Sequence, residues 1–297
     1  MNKIAITTGD KLGIGEEVVE KALKSLNLPK EQVIIIGKNL NLGYETIEIQ
    51  DEDNGAFCFK SIKTACELAK EGKIQAIVTA PVSKEVLNNS GYNFLGQTEI
   101  LEHFLGNSEE KAEMLFIAQD LKVMLLTRHL ALKDVPNALS KEIIIEKTKR
   151  FYNFLVNYYK IESPKIALCA LNPHMGEGGL LGVEEETILK PAVLELNKNG
   201  INITSPMSAD ALFGKIGKKY INKEKQDFDG VLACYHDQGL CPIKALAFDT
   251  VVNTTIGLSI IRTSPSHGSA YDIKGLNIAN PNSMIEAIKL AINLEKN

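Results

Sequence analysis

The chain has 297 residues, of which 44% are hydrophobic and 24% charged, with a formal net charge of −4. That length can bury a sizeable core, and the balance excludes a disordered or fibrous chain and a globally basic nucleic-acid binder. No apolar run reaches membrane-spanning length and the first residues run straight into a strand-like pattern, so a cytoplasmic protein with neither membrane nor nucleic-acid partner is expected. The five cysteines form no Cys-x-x-Cys pair and mostly sit in apolar patterns. They read as buried reduced thiols.

In chain order, Lys3–Thr8 reads as a strand, Gly9–Gly15 as a glycine-rich turn and Glu16–Leu26 as a helix. The turn lacks the Gly-x-Gly-x-x-Gly spacing of a dinucleotide fingerprint, and its glycines read equally as an anion cradle or as tight backbone geometry. Val33–Ile36 is a second strand, Lys38–Gly55 a loop and Ala56–Lys70 a helix. The strand Lys73–Thr79 ends in Ala-Pro-Val-Ser-Lys, which puts Ser83 and Lys84 at its carboxyl edge. Thr98 is a candidate N-cap for the short apolar pattern Ile100–Leu105, at a helix start that would also favour an anion. Met114–Ala118 and Lys122–Thr127 suggest a hairpin, with His129 just beyond. Ser140 can cap the helix Lys141–Lys160, whose apolar face suits a core or a subunit interface.

The strand Lys165–Leu171 delivers Asn172-Pro173-His174 and then a glycine-dense loop to Gly179; Glu184–Lys198 reads as a helix, Ile201–Thr204 as a strand, and Asp210 precedes an apolar pair. Val231–Leu240 is an apolar run ending in His236, Asp237, Gln238 and Gly239. Lys244 follows, then the strand-like Asp249–Thr254 with Asn253, Ser259–Thr263 with Arg262, and a last helix Met284–Leu294 capped by Asn282 or Ser283. Alternating strands and helices predict a largely parallel α/β architecture.

Three of the five histidines, His129, His174 and His236, therefore stand just past apolar strands, where open α/β sheets bind ligands. Three imidazoles with carboxylate oxygens suit zinc, manganese, cobalt, nickel or iron, with magnesium less favoured. No compact metal signature is present, and a lone histidine is more often a structural or surface residue; it is the repeated placement at strand ends that brings a joint metal site level with that reading. Asp210 and Asp237 could add oxygen ligands or accept the second imidazole N–H. Lys244, Arg262, Thr98 and Asn253 would suit a phosphate-bearing substrate, lysine as a point charge and arginine as a planar fork; singly, each cation also reads as surface solubility.

Taken together, Gly9-Asp10…Gly13-Ile14-Gly15, Ala80-Pro81…Lys84, Gly96-Gln97-Thr98-Glu99, Arg128-His129-Leu130, Leu171-Asn172-Pro173-His174…Gly176-Glu177-Gly178-Gly179, Ala209-Asp210…Phe213, Tyr235-His236-Asp237-Gln238-Gly239-Leu240 and Arg262-Thr263-Ser264…His267-Gly268 closely resemble the 4-hydroxythreonine-4-phosphate dehydrogenase family of vitamin B6 biosynthesis. The resemblance implies a two-lobed α/β/α fold like that of isocitrate and isopropylmalate dehydrogenases, with its active site in the interlobe cleft. One lobe would comprise residues 1–120 and 245–297, the other 121–244, and a homodimer would complete the site. It implies a divalent metal, zinc, magnesium, cobalt or manganese, on His129, His174 and His236. Substrate contacts would fall to Gln97, Thr98, Lys244, Asn253 and Arg262, with Asp237, Asp210 or Lys244 as base.

The activity so implied is oxidation of 4-phosphooxy-L-threonine by NAD or NADP, with decarboxylation to 3-amino-2-oxopropyl phosphate. The sequence departs from the family pattern at Gln97, where histidine is usual, at Lys11, Leu12 and Glu16 in the first loop, and at Ser266 before His267. A related dehydrogenase of threonate or erythronate 4-phosphate, and more remotely a metal-dependent hydrolase, are the competing readings.

Overall fold

The computed structural model of the protein describes residues 3–294. The described chain divides into two compact units, residues 3–112 with 249–294 and residues 113–248. The crossings thus fall at 112/113 and 248/249, where the sequence reading put them at 120/121 and 244/245.

The first unit contains β1 (Ile4–Thr7), α1 (Gly15–Leu26), β2 (Val33–Gly37), β3 (Glu45–Glu48), α2 (Asn54–Lys70), β4 (Ala76–Thr79), α3 (Lys84–Asn89) and α4 (Gln97–Leu105). The second holds β5 (Glu113–Ala118), β6 (Leu121–Leu125), α5 (Val135–Ala138), α6 (Lys141–Tyr159), β7 (Ile166–Leu168), α7 (Lys190–Lys198), α8 (Ala209–Ile221), β8 (Gly230–Ala233) and α9 (His236–Ala247). The chain then returns to the first unit with β9 (Val252–Ile256), β10 (Ile261–Pro265) and α10 (Asn282–Asn293).

In the first unit the strand order is β3-β2-β1-β4-β10-β9. All neighbours are parallel except β9 against β10. Because side chains alternate across a strand, Ile4 and Ile6 face a cluster with Val18, Val19, Leu23, Met284 and Ile288 of α1 and α10, while Ala5, Ile34 and Ile36 face Phe57, Ile62, Ile100 and Leu101 of α2 and α4. Both faces are covered, which is why these strands read as unbroken apolar runs. Each isoleucine so buried contributes about 1.5–3 kcal/mol.

The second unit orders its strands β5-β6-β8-β7, with an antiparallel hairpin β5/β6 and parallel neighbours beyond it. Ser140 caps α6 by accepting from the Ile143 N–H at 3.2 Å. Gly230 opens β8 where the Phe151 ring of α6 leaves no room: a Cβ there would meet the ring at 2.3 Å. The buried Glu113 takes the Arg150 guanidinium at 2.9 Å and also Lys147, tying α6 to β5.

The α/β reading and most elements stand, with local corrections. The stretch Lys38–Gly55 contains β3, whose Glu-Thr-Ile-Glu is a half-exposed edge strand and so lacks the apolar run that marks a buried one. Ile201–Thr204 makes only an isolated bridge, from Ile203 to Ile166. Thr98 is not the cap of α4 but its second residue, Gly96 taking the cap position. The cap position of α10 is Pro281, and Ser283 instead spends its hydroxyl on the Val251 carbonyl at 2.7 Å. No helix among the described residues is long and apolar enough to cross a membrane.

Candidate active-site residues in the two units

In the first unit, Arg262 projects from β10 at only 4% exposure, and its Nε and one Nη donate to Thr79 Oγ1 at 2.8 and 2.6 Å. A hydroxyl is a neutral partner, so burial dominates and pushes the guanidinium down to about 10, against a smaller opposing pull from Glu99. A buried cation held by a neutral group gains from an anion.

Close by along the same edge, Gln97 opens α4 and donates from Nε2 to the Ala80 carbonyl at 3.1 Å, just past the end of β4. Its Oε1 is buried without a hydrogen-bond partner, as is Oδ1 of Asn253. Thr98 is buried in the first turn of α4, where unpaired backbone N–H groups and the helix dipole favour negative charge. Asn253 stands opposite Ser264 in the β9/β10 ladder, two places from the Thr255–Arg262 pair.

In the second unit, His129 and His236 are brought together: their ring centroids lie 5.7 Å apart at an interplanar angle of 43°. Both line a pocket of about 300 Å3 with Arg128, Leu130, Leu132, Val135, Tyr235 and Asp237. The strand read as running into His236 ends at Ala233, and His236 is the first residue of α9. Asp237 therefore sits in a helical first turn, where a carboxylate is favoured, and its Oδ1 lies 2.7 Å from His236 Nδ1. That contact engages Nδ1 and leaves Nε2 as the His236 nitrogen for a ligand. Lys244, seven residues on, shares the Asp237 face of α9, about 10 Å along the axis.

His174 lies in an unusual segment. From His174 through Gly178, five successive residues adopt left-handed conformations, with φ of 50, 58, 75, 45 and 68°. For the three that are not glycine this costs about 1–2 kcal/mol each. What holds the turn is polar: the Asn172 N–H donates to Glu185 Oε1 at 2.7 Å, and the Asn172 amide donates to Glu184 Oε2 at 2.7 Å and Glu185 Oε2 at 2.9 Å. Glu185 is wholly buried, and a Cβ on Gly176 would come within 2.8 Å of its Oε2.

Asp210, in the first turn of α8, accepts from Ser208 Oγ at 2.6 Å, and that bond, with backbone donors and the neighbouring His174, holds its carboxyl below the usual range.

Two histidines on one ion, with metal–nitrogen bonds of about 2.0–2.1 Å, place their ring centres roughly 5–6 Å apart, so the 5.7 Å separation of His129 and His236 fits a shared metal. Among the described residues no three His, Cys, Asp or Glu side chains are gathered closely enough to form a complete cluster. Sequence reasoning missed Asn172, Glu184 and Glu185. A signal was present: Glu185 occupies an apolar position in the helical series with Leu189, Ala192 and Leu196, the mark of a buried carboxylate.

Over 332 residues the chain is 37% identical to a 4-hydroxythreonine-4-phosphate dehydrogenase from a Sulfurihydrogenibium species, covering 100% of this chain and 99% of that one. It is also 37% identical to a candidate D-threonate 4-phosphate dehydrogenase from Oceanobacillus iheyensis, covering 98% and 97%. The crystal structure of a 4-hydroxythreonine-4-phosphate dehydrogenase from Klebsiella pneumoniae superposes with a TM-score of 0.86 at 31% identity, covering 99% and 98%. A β-decarboxylating dehydrogenase from Thermococcus kodakarensis, 16% identical over 98% of this chain and 82% of that one, shares the fold at a TM-score of 0.51. The profile of the pyridoxal phosphate biosynthetic protein PdxA matches residues 7–291. With relatives this similar along essentially its whole length, the chain belongs to the PdxA family.

Proposed function

We propose that this protein is a 4-hydroxythreonine-4-phosphate dehydrogenase, which oxidises the secondary alcohol of 4-phosphooxy-L-threonine with NAD or NADP and releases the neighbouring carboxylate as carbon dioxide, leaving 3-amino-2-oxopropyl phosphate. The observation that carries this reading is the buried Arg262 beside the first turn of α4, a fixed positive site suited to a phosphate or carboxylate. It is joined by relatives named for this activity along their full length.

In this reading Arg262 and Thr98 bind the substrate's anionic ends, while Gln97 Oε1 and Asn253 Oδ1, both lacking a partner, accept from its amino or hydroxyl groups. Such bonds fix the carbinol carbon, so that reaction proceeds without a search over orientations. His129, His174 and His236 would hold a divalent cation, zinc, cobalt, manganese or magnesium, which when bound supplies positive charge at the developing alkoxide and carbonyl oxygen.

Asp237, Asp210 and Lys244 are the candidates to take the hydroxyl proton. Asp237 is the best supported, because it is highly exposed, at 74%, and borders the pocket of His129 and His236. Lys244, on the same helical face, would add a point charge for the substrate. A homodimer is favoured by the exposed apolar side chains Leu180, Leu181 and Val183, just past the His174 turn. Four buried cysteines and one exposed, all free, suit a reducing cytoplasm.

A second reading, oxidation of threonate or erythronate 4-phosphate, is favoured by the Oceanobacillus relative and by glutamine at position 97. Incubation with metal, NAD or NADP and a panel of 4-phosphorylated hydroxy acids separates the two. Reduced nicotinamide with the hydroxyamino acid is the expected result. Turnover of threonate phosphate alone would select the second reading, and product without nicotinamide reduction would overturn both.

A further inference from the structure

Just past the last residues of β6, β7 and β8, single backbone bonds still link the segments that lead to His129, His174 and His236: the Leu126 N–H donates to the Ala233 carbonyl at 2.8 Å and the Cys169 N–H to the Leu232 carbonyl at 2.9 Å. Side-chain bonds reinforce them there. The Gln238 carboxamide accepts the Cys234 N–H at 2.7 Å through Oε1, and donates through Nε2 to the Ala170 carbonyl at 2.7 Å. On the opposite side of Cys234, its carbonyl accepts the Thr127 hydroxyl at 2.7 Å and the Thr127 N–H at 3.2 Å. The Cys234 thiol completes the knot by donating to the Cys169 carbonyl at 3.3 Å.

Thr127 stands two residues before His129, Cys234 two before His236, and Ala170 four before His174. Thr127, Cys169, Ala170 and Cys234 are all buried, where a lost hydrogen bond is not replaced by water.

We propose that Gln238, with Thr127, is a positioning residue that buckles together the backbone segments leading into the three histidines and sets the spacing from which the imidazoles would close on one divalent cation. This rests on the reading of His129, His174 and His236 as metal ligands. The chemistry requires an amide at 238: one group must accept from a backbone N–H and donate to a backbone carbonyl at the same time. Glutamate in its ionised form keeps the acceptor and loses the donor, and methionine keeps the volume and loses both. At position 127 valine keeps the shape and removes the hydroxyl.

The test compares wild type, Q238M, Q238E, T127V and H236A for cobalt(II) affinity, by competition with a chromophoric chelator, and for the visible spectrum of the bound cobalt. Apoprotein melting temperatures and imidazole 1H–15N spectra are recorded beside them. Q238M and Q238E are expected to weaken cobalt binding by about 10–100-fold, the range typical of residues that orient metal ligands, and to alter the cobalt spectrum. T127V should move both in the same direction. In the apoprotein, Q238M is expected to shift the His174 and His236 signals, an effect that a purely structural loss of stability would not produce in the folded fraction.

If H236A loses cobalt while Q238M and Q238E bind it with wild-type affinity and spectrum, the positioning role is overturned and the ligand assignment stands. If wild type and H236A bind cobalt alike, the ligand assignment falls. The apoprotein spectra then decide the buckle alone, with unchanged imidazole signals in Q238M overturning it.

Discussion

Replacing Arg262 with methionine separates a binding arginine from a structural one. The guanidinium is 4% exposed and its hydrogen-bond partner is the Thr79 hydroxyl, so the fold bears the desolvation of a cation against only a smaller pull from Glu99. R262M keeps most of the volume and removes the buried charge; the debit is the Thr79 hydroxyl left without its donor, about 1–2 kcal/mol, offset by the relieved desolvation. The folded protein is therefore expected to change stability by less than about 2 kcal/mol.

Binding behaves differently. Two charge-assisted hydrogen bonds to a phosphate at about 1.5–3 kcal/mol each amount to about 3–6 kcal/mol, so KM for a phosphorylated substrate should rise by a factor of about 100 or more. Thermal melts with and without inorganic phosphate, together with steady-state kinetics, read both effects. Phosphate at 100 times its dissociation constant should stabilise wild type by about 2.7 kcal/mol and leave R262M unmoved. A variant that melts far below wild type yet keeps KM and its response to phosphate would refute the reasoning.

H236A should lose bound metal and turnover while its urea midpoint stays near that of wild type, since His236 is partly exposed; retained activity in chelator-treated buffer would count against the ligand role. E185Q keeps an acceptor for the Asn172 N–H but sets a donor against a donor at the Asn172 amide, and a loss of about 1–3 kcal/mol in urea unfolding is expected. An unchanged midpoint would mean that the left-handed turn is held otherwise.

Burial pushes the Cys58, Cys66 and Cys169 thiols up to about 12 from an ordinary 9.0. Their contribution to stability is full below pH 9 and is lost as pH rises toward 12, because the unfolded chain gives up those protons first, at about 1.4 kcal/mol per thiol per pH unit. Unfolding midpoints across pH 8–11 should fall accordingly. In the native protein at pH 8 a thiol reagent should label Cys241 and spare the other four.

The sequence reveals what depends on period and on strand ends. The apolar runs at Ile4–Thr7, Val33–Gly37 and Gly230–Ala233 are legible because both of their faces are buried. His129 and His236 are legible because they follow such runs, and Ser140 because an N-cap is a local bond. Other features are decided by tertiary partners. The exposed strand β3 carries no run, and α9 begins at the very residues that read as the strand's polar tip. Glu185 and Gln238 act through backbone groups 13 and 68 residues away, distances at which no local pattern points to the partner. The left-handed turn at His174 was only hinted at by its glycines, since His174, Met175 and Glu177 adopt it against their own preference.

The discontinuous first unit imposes an order on synthesis. β10 lies between β4 and β9, and Met284, Ala287, Ile288 and Ala291 of α10 complete the core against β1 and α1. As the chain leaves the ribosome, residues 3–112 thus emerge with one face of their sheet covered by α1 alone, and it stays so while the whole of the second unit is made. The second unit is contiguous and can close first. During that interval the part of the Ile4, Ile6, Val33 and Ile35 face that α10 covers is sticky surface rather than core, so the nascent first half is the stage most exposed to aggregation and to chaperone capture. A truncation that removes α10 would prolong that stage indefinitely.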